Sequence, residues 1–201
     1  IVFVGNSITN MHEWCEAFGN PKVLNRGNSG GLSGEIFENV ESYIAGKPAK
    51  MFLMIGTNDI GTSGFNNSAY IAGKIRSIVK RVKAESPNTE LYIQSILPSR
   101  LRNQALQKET NDSIKKICEE NNVTYIDLWD DLMGITSGDA LSLDGLHLKA
   151  TGYKIWCDKI SQYVGSDCVY LDDAAANSQT GGLSGSYGMR VTYFGGVPVE
   201  D

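Results

Sequence analysis

Ser7, Asp144 and His147 are the residues of this chain whose types and spacing could do chemistry. Ser7 stands in Gly5-Asn6-Ser7-Ile8, directly after the first apolar run. Asp144 and His147 lie three residues apart in Leu143-Asp144-Gly145-Leu146-His147. A serine hydroxyl is a weak nucleophile and needs a neighbouring base to take its proton during attack. The chain holds only two histidines, and His12 has no carboxylate near it except the adjacent Glu13. His147 is therefore the strong candidate for the base. Asp144 can bond its second ring nitrogen within one tight loop, with Gly145 easing the turn and the carboxylate fixing tautomer and orientation. A serine, an imidazole and a carboxylate are the inventory for acyl transfer near neutral pH.

The tetrahedral intermediate of such a reaction carries a negative oxygen that needs fixed donors. Three are at hand. The Ser7 N–H opens a helix-like stretch, where backbone N–H groups point outward. Gly30 lies in a Gly- and Ser-rich turn, where bare backbone can approach a ligand. Asn58, in Gly56-Thr57-Asn58-Asp59, offers a side-chain amide.

These residues need a frame. Ile1 to Val4, Lys22 to Asn25, Met51 to Ile55, Glu90 to Ile96 and Val123 to Asp127 read as five strands. Their continuous apolar runs predict strands covered on both faces, as in a parallel sheet. Helical periodicity lies between them. Glu35 to Ala45 carries Ile36, Val40 and Ile44. Ile71, Ile75, Ile78, Val79 and Val82 share one face, with Ser68 as N-cap and Pro87 past the end. Asn103 to Asn121 turns Ile114 and Ile117 inward, and Thr151 to Val164 aligns Tyr153, Trp156, Ile160 and Tyr163. Alternating strands and helices predict a three-layer α/β/α fold with a five-stranded, mainly parallel sheet. Sites in such sheets form at the carboxyl ends of the strands. Ser7, Gly30, Asn58 and Asp144 all fall in predicted loops, and the first three follow strands directly.

With 201 residues, 41% hydrophobic and 20% charged, the chain is sized for one ordinary domain. Its net charge of −5 and the lack of a basic cluster argue against nucleic acid as a partner. The apolar runs are too short to span a bilayer. Four cysteines are too few for a disulfide scaffold and too scattered for zinc. Cys157 and Cys168 read either as a bridge or as single buried thiols. The start at Ile1, already inside a strand pattern, reads either as a removed leader or as a trimmed chain, and an extracytoplasmic location is slightly favoured over a cytoplasmic one.

The four blocks Gly5-Asn6-Ser7-Ile8, Asn25-Arg26-Gly27-Asn28-Ser29-Gly30, Gly56-Thr57-Asn58-Asp59 and Asp144-Gly145-Leu146-His147 resemble, in order, those of the SGNH (GDSL-type) hydrolases. Each block alone is ordinary turn chemistry; their order and strand-end placement carry the resemblance, which covers roughly residues 1–164. It implies a flavodoxin-like sheet, Ser7 as nucleophile, Asp144 and His147 completing the triad, and an oxyanion hole of Ser7, Gly30 and Asn58. The Asn6-Ser7-Ile8-Thr9 opening and the Glu13-Trp14 that follow look most like the branch related to platelet-activating-factor acetylhydrolase, which includes many bacterial carbohydrate esterases. Asn6 departs from the family's usual Asp before the serine. The implied activity is hydrolysis of short acyl esters, O-acetylated sugars above all, without cofactor or metal. A thioesterase or lysophospholipase is the alternative enzyme, and a non-catalytic carbohydrate-binding homologue the alternative of another class.

Outside the blocks, His12 is expected on a helix surface or pocket wall, and Asp59 as a turn residue or a support for Asn58. Arg100 and Arg102 either line the cleft or, as favoured here, form surface ion pairs. Trp14 and Trp129 read equally as sugar-stacking walls or core. Met11 and Met133 read as packing, and Asp130-Asp131 as a solvated loop. Residues 1–164 form the expected hydrolase domain. Residues 165–201 form an extension, with a linker-like Gly181 to Ser186 and an extended Met189 to Val199. Because Tyr187 to Asp201 looks like a segment that precedes strand one in this branch, a circularly permuted order is a further expectation.

Overall fold

The computed structural model describes residues 1–138 and 140–168, and the backbone of two short strands, Tyr193–Phe194 and Val197–Pro198, which pair antiparallel. The proposed linker and, apart from the backbone of those two strands, the segment Tyr187 to Asp201 on which a permuted order would rest lie outside the described residues.

Five strands form one parallel sheet: β1 (Val2–Gly5), β2 (Leu24–Gly27), β3 (Lys50–Met54), β4 (Glu90–Gln94) and β5 (Thr124–Ile126), in the order β2-β1-β3-β4-β5. The reversal of strand order falls at β1, so β1 and its neighbours open the crevice where sites form in doubly wound sheets. The expected strands are all present. The second is displaced toward the carboxyl end, from residues 22–25 to Leu24–Gly27, because it pairs with β1 in the register Val2↔Leu24 to Gly5↔Gly27.

The apolar runs divide by alternate residues onto two faces. Val2, Val4, Met51, Leu53, Leu91 and Ile93 join one core cluster. Covering them are α3 (Ser33–Glu38), α4 (Val40–Ile44), α6 (Ser68–Glu85) and α7 (Gln104–Glu120). Phe3, Phe52 and Tyr92 face the opposite side. They are register partners on β1, β3 and β4 and stack in turn, with ring centroids 4.7 Å and 4.6 Å apart. This second face is closed by α1 (Ser7–Asn10), α2 (Trp14–Ala17) and α8 (Ala150–Val164). Burial on both faces explains why the strands read as continuous apolar runs.

The helix boundaries depart from expectation in detail. The predicted helix 35–45 is two pieces joined at Asn39. Asn67, not Ser68, caps α6 through a bond from the Tyr70 N–H, and Asn103 caps α7 in the same way. A short α5 (Thr57–Ile60) follows β3.

Candidate active site

One turn of helix, α1, carries Ser7 as its first residue, so the N–H of Ser7 has no partner within the helix. A single residue, Asn6, separates β1 from α1. Its side-chain oxygen accepts from the Ile8 N–H at 3.0 Å and caps the turn. The approach is tight. A Cβ on Gly5 would lie 2.2 Å from Thr9 Oγ1 and 2.5 Å from the Met54 carbonyl oxygen, and one on Gly27 would lie 2.3 Å from the Asn10 nitrogen. Glycines at the ends of β1 and β2 therefore let the serine helix sit down on the sheet edge.

Across the cleft, the segment before α8 supplies Asp144 and His147. Asp144 Oδ1 accepts from the backbone N–H groups of Leu146 (2.9 Å) and His147 (2.8 Å) and from Ser142 Oγ (3.2 Å). Its Oδ2 lies 2.6 Å from His147 Nδ1, and His147 Nε2 lies 3.0 Å from Ser7 Oγ. Burial pushes the Asp144 carboxyl up, but the bonds from the His147 ring and from the two amides outweigh it and hold the group at about 2. An ionised carboxylate only accepts hydrogen bonds, so His147 Nδ1 carries the proton, Nε2 is the acceptor and the Ser7 hydroxyl donates to it. Ser7 is buried and His147 partly so, which keeps bulk water from competing for these bonds.

Gly30 and Asn58 stand on the same edge. Gly5 of β1 is in register with Gly27 of β2 and Met54 of β3, so the segments after the three strands emerge side by side. Gly30 is exposed with φ +80°, and a Cβ there would meet nothing within 4 Å. Glycine is thus required at this position by the backbone dihedral rather than by crowding. Asn58 lies in α5 rather than a loop, as Ser7 lies in α1. Its Nδ2 donates to the Gly31 carbonyl at 3.1 Å, which ties these two segments together. Asp59 is fully buried and accepts from the Ser33 N–H (3.1 Å) and Oγ (2.6 Å), fastening α5 to the start of α3.

Several side chains take places other than those expected. His12 is buried, not on a surface. It stacks on Tyr153 at 4.3 Å, meets Trp14 edge-on and places Nε2 3.3 Å from Cys157 Sγ. Burial pushes its pKa down to about 3, so the ring stays neutral. Trp14 and Trp129 are both buried, which removes them as sugar platforms. Arg100 fastens the Asp144 loop, its guanidinium donating to the Leu143 carbonyl (2.7 Å) and its backbone N–H to that of Gly145 (3.0 Å). Arg102 donates to the Thr57 carbonyl and braces α5. Met133 is partly exposed, and Asp131 pairs with Lys159 at 2.8 Å. Sequence reasoning missed Ser142, Ser99 and Arg100 as supports of this loop. Ser99 Oγ donates to the Gly145 carbonyl at 2.7 Å, and the Gly145 N–H donates to Ser142 Oγ at 2.9 Å. Of these, only Ser142, two residues before the carboxylate, leaves a local sign in the sequence.

The arrangement can abstract a hydroxyl proton, hold the resulting imidazolium against a carboxylate and offer amide donors to a nearby oxygen. Comparisons with known proteins bear on the family and the fold. The model of the GDSL-like lipase/acylhydrolase family matches residues 3–155. A solved structure from Streptococcus pneumonia, described as a platelet activating factor, is 27% identical with a TM-score of 0.73 over 81% of this chain and 82% of that one. A GDSL-like lipase from Bacteroides thetaiotaomicron is 23% identical with a TM-score of 0.71 over 82% and 86%. An acetyl xylan esterase from Geobacillus stearothermophilus, in a variant form, shares the fold at 19% identity and a TM-score of 0.66, over 85% and 96%. None of the curated proteins matches the chain. Among the described residues, no helix is long and apolar enough to cross a membrane.

Proposed function

This chain belongs to the GDSL-like lipase/acylhydrolase family, and from that premise we propose that it is a serine esterase of short acyl esters, with O-acetyl groups on carbohydrates as its substrates. The observation that carries the reading is the unbroken relay from Ser7 Oγ to His147 Nε2 (3.0 Å) and from His147 Nδ1 to Asp144 Oδ2 (2.6 Å). In this mechanism His147 takes the Ser7 proton as the oxygen attacks the ester carbonyl. The oxyanion is held by the N–H groups of Ser7 and Gly30 and by the Asn58 amide. The amide nitrogen has two hydrogens, one committed to Gly31 and the other left for the oxyanion. Asp144 keeps the imidazole in the accepting tautomer and stabilises its charged form. His147 then protonates the leaving alcohol, and water repeats the sequence on the acyl-enzyme.

A small acyl group is supported by the brevity of the connections around the serine. Asn6 alone follows β1, residues 55–56 follow β3, and residues 28–32 follow β2. Such segments frame a compact site rather than a long acyl channel. The likeness in fold to an acetyl xylan esterase points the same way for the alcohol half.

The test is acetate release from acetylated sugars, xylans, sialic acids and lipids by the wild type and Ser7→Ala. We expect release from a carbohydrate substrate and a loss of at least about a thousandfold in kcat on substitution. Unchanged hydrolysis by Ser7→Ala would remove Ser7 as nucleophile. A rate that climbs with acyl chains of eight carbons or more would replace the acetyl reading with a lysophospholipase or thioesterase.

A further inference from the structure

A helix of one turn cannot stand by its own hydrogen bonds, since isolated helices shorter than roughly 12 residues are marginal in water. The serine helix α1 has four residues, closed by Asn10 N–H to the Asn6 carbonyl and Met11 N–H to the Ser7 carbonyl, both at 2.9 Å. Its remaining carbonyls need other donors. Thr9 O accepts from Trp14 Nε1 (2.8 Å), and the two hydrogens of Asn25 Nδ2 are shared among Thr9 O (3.1 Å), Asn10 O (3.0 Å) and His12 O (2.8 Å), all at the end of this turn or just past it. Ile8 O, next to the serine, accepts from the Tyr153 hydroxyl at 2.7 Å, across a separation of 145 residues.

Tyr153 is six residues beyond His147, on the helix that the His147 segment leads into. The same two stretches of chain are thus joined twice. Ser7 meets His147 through the proton relay, and Ile8 meets Tyr153 through a bond that takes no part in proton transfer. The Tyr153 ring is itself held, stacked face to face on His12 with planes within 5°. Burial raises its phenol pKa, so the hydroxyl remains a donor.

We propose that Tyr153, with Asn25 as its counterpart on β2, is a positioning residue for the reaction: by holding the end carbonyls of the serine helix it sets the distance between Ser7 Oγ and His147 Nε2. This rests on the Ser7 nucleophile assigned above. Misplacement of a reacting group by ~1 Å can cost on the order of a hundredfold in rate, so the effect belongs in kcat and not in substrate binding.

The experiment compares Tyr153→Phe, Asn25→Asp and Ser7→Ala with the wild type by steady-state kinetics on p-nitrophenyl acetate, with circular dichroism and thermal melting on the same samples. Tyr153→Phe keeps the ring and deletes the donor. Asn25→Asp keeps the shape and replaces the donating amide with an acceptor. We expect each to lose about tenfold or more in kcat with KM within about twofold, at temperatures where the variants are fully folded. A role in stability alone predicts lower melting temperatures with kcat per folded molecule unchanged, and that result in both variants overturns the inference. Should one variant fail to fold, the other decides. Failure of the underlying reading is distinguishable, because it appears as activity retained in Ser7→Ala.

Discussion

His12 should make this protein lose stability as the pH falls below about 6.5. Its ring is 4% exposed, packed between Trp14, Tyr153 and Cys157, and burial pushes its pKa down to about 3 from an ordinary 6.5. The unfolded chain therefore binds a proton at His12 between those two values while the folded chain does not. Stability is fully present above about pH 6.5 and falls as the pH drops below it. From this pair of values the loss is about 2 kcal/mol at about pH 5 and about 4 kcal/mol at about pH 3. No discount for solvent screening applies to a ring this deeply buried. Folded domains have only about 5–15 kcal/mol in hand, so the acid limb should be plain in a denaturation series. The assay is urea unfolding at pH values from about 8 to 4 for the wild type and His12→Phe, which keeps an aromatic ring in the stack but cannot titrate. Burial raises the carboxyls of Glu13, Glu16 and Asp59, which titrate with the opposite sign, since a raised acid favours the folded state as pH falls. They are common to both proteins and cancel in the difference. Asp144, held low, acts only below about pH 4. Parallel loss of stability in the two proteins between pH 8 and 5 would refute the reasoning.

Further outcomes follow from the same contacts. Asp144→Asn should leave the fold intact and lower kcat by roughly ten-thousandfold, because the amide permits the wrong imidazole tautomer; steady-state kinetics with circular dichroism checks both halves. Gly5→Ala should cost about 1–3 kcal/mol in urea unfolding and reduce activity as well, since the new methyl meets the Met54 carbonyl oxygen, which is backbone. Asp59→Ala should destabilise by about 1–3 kcal/mol through the orphaned Ser33 N–H, and it should loosen Asn58 enough to lower kcat. By contrast, Arg76→Ala, which breaks an exposed pair with Glu120 at 2.6 Å, should leave the urea midpoint nearly unchanged.

What could be read directly from the sequence is what local pattern encodes. Runs such as Met51 to Ile55 announced buried parallel strands, because strands covered on both faces show no polar alternation. The helix faces of α6 and α7 were visible in their 3.6-residue spacing. The chemical types of Ser7, Asp144 and His147 were legible because the carboxylate and imidazole are three residues apart and the serine follows a strand directly. The second strand was misplaced by two residues because its exposure pattern is mixed, and pairing with β1 alone decides its register. His12 and Arg100 were misjudged for a related reason. A lone polar residue is read as exposed, whereas here one is enclosed by the aromatic rings of Trp14 and Tyr153 and the other is bonded to the carbonyl of Leu143, 43 residues away. Only the folded chain decides that Ser7 lies 3.0 Å from His147, that Asn58 is tied to Gly31, and that Tyr153 holds the turn beside the serine. These bonds join side chains to distant backbone or to one another, and such contacts leave no periodic trace. They exist because the parallel sheet brings its strand ends to one edge, and the helices packed on it carry their side chains there.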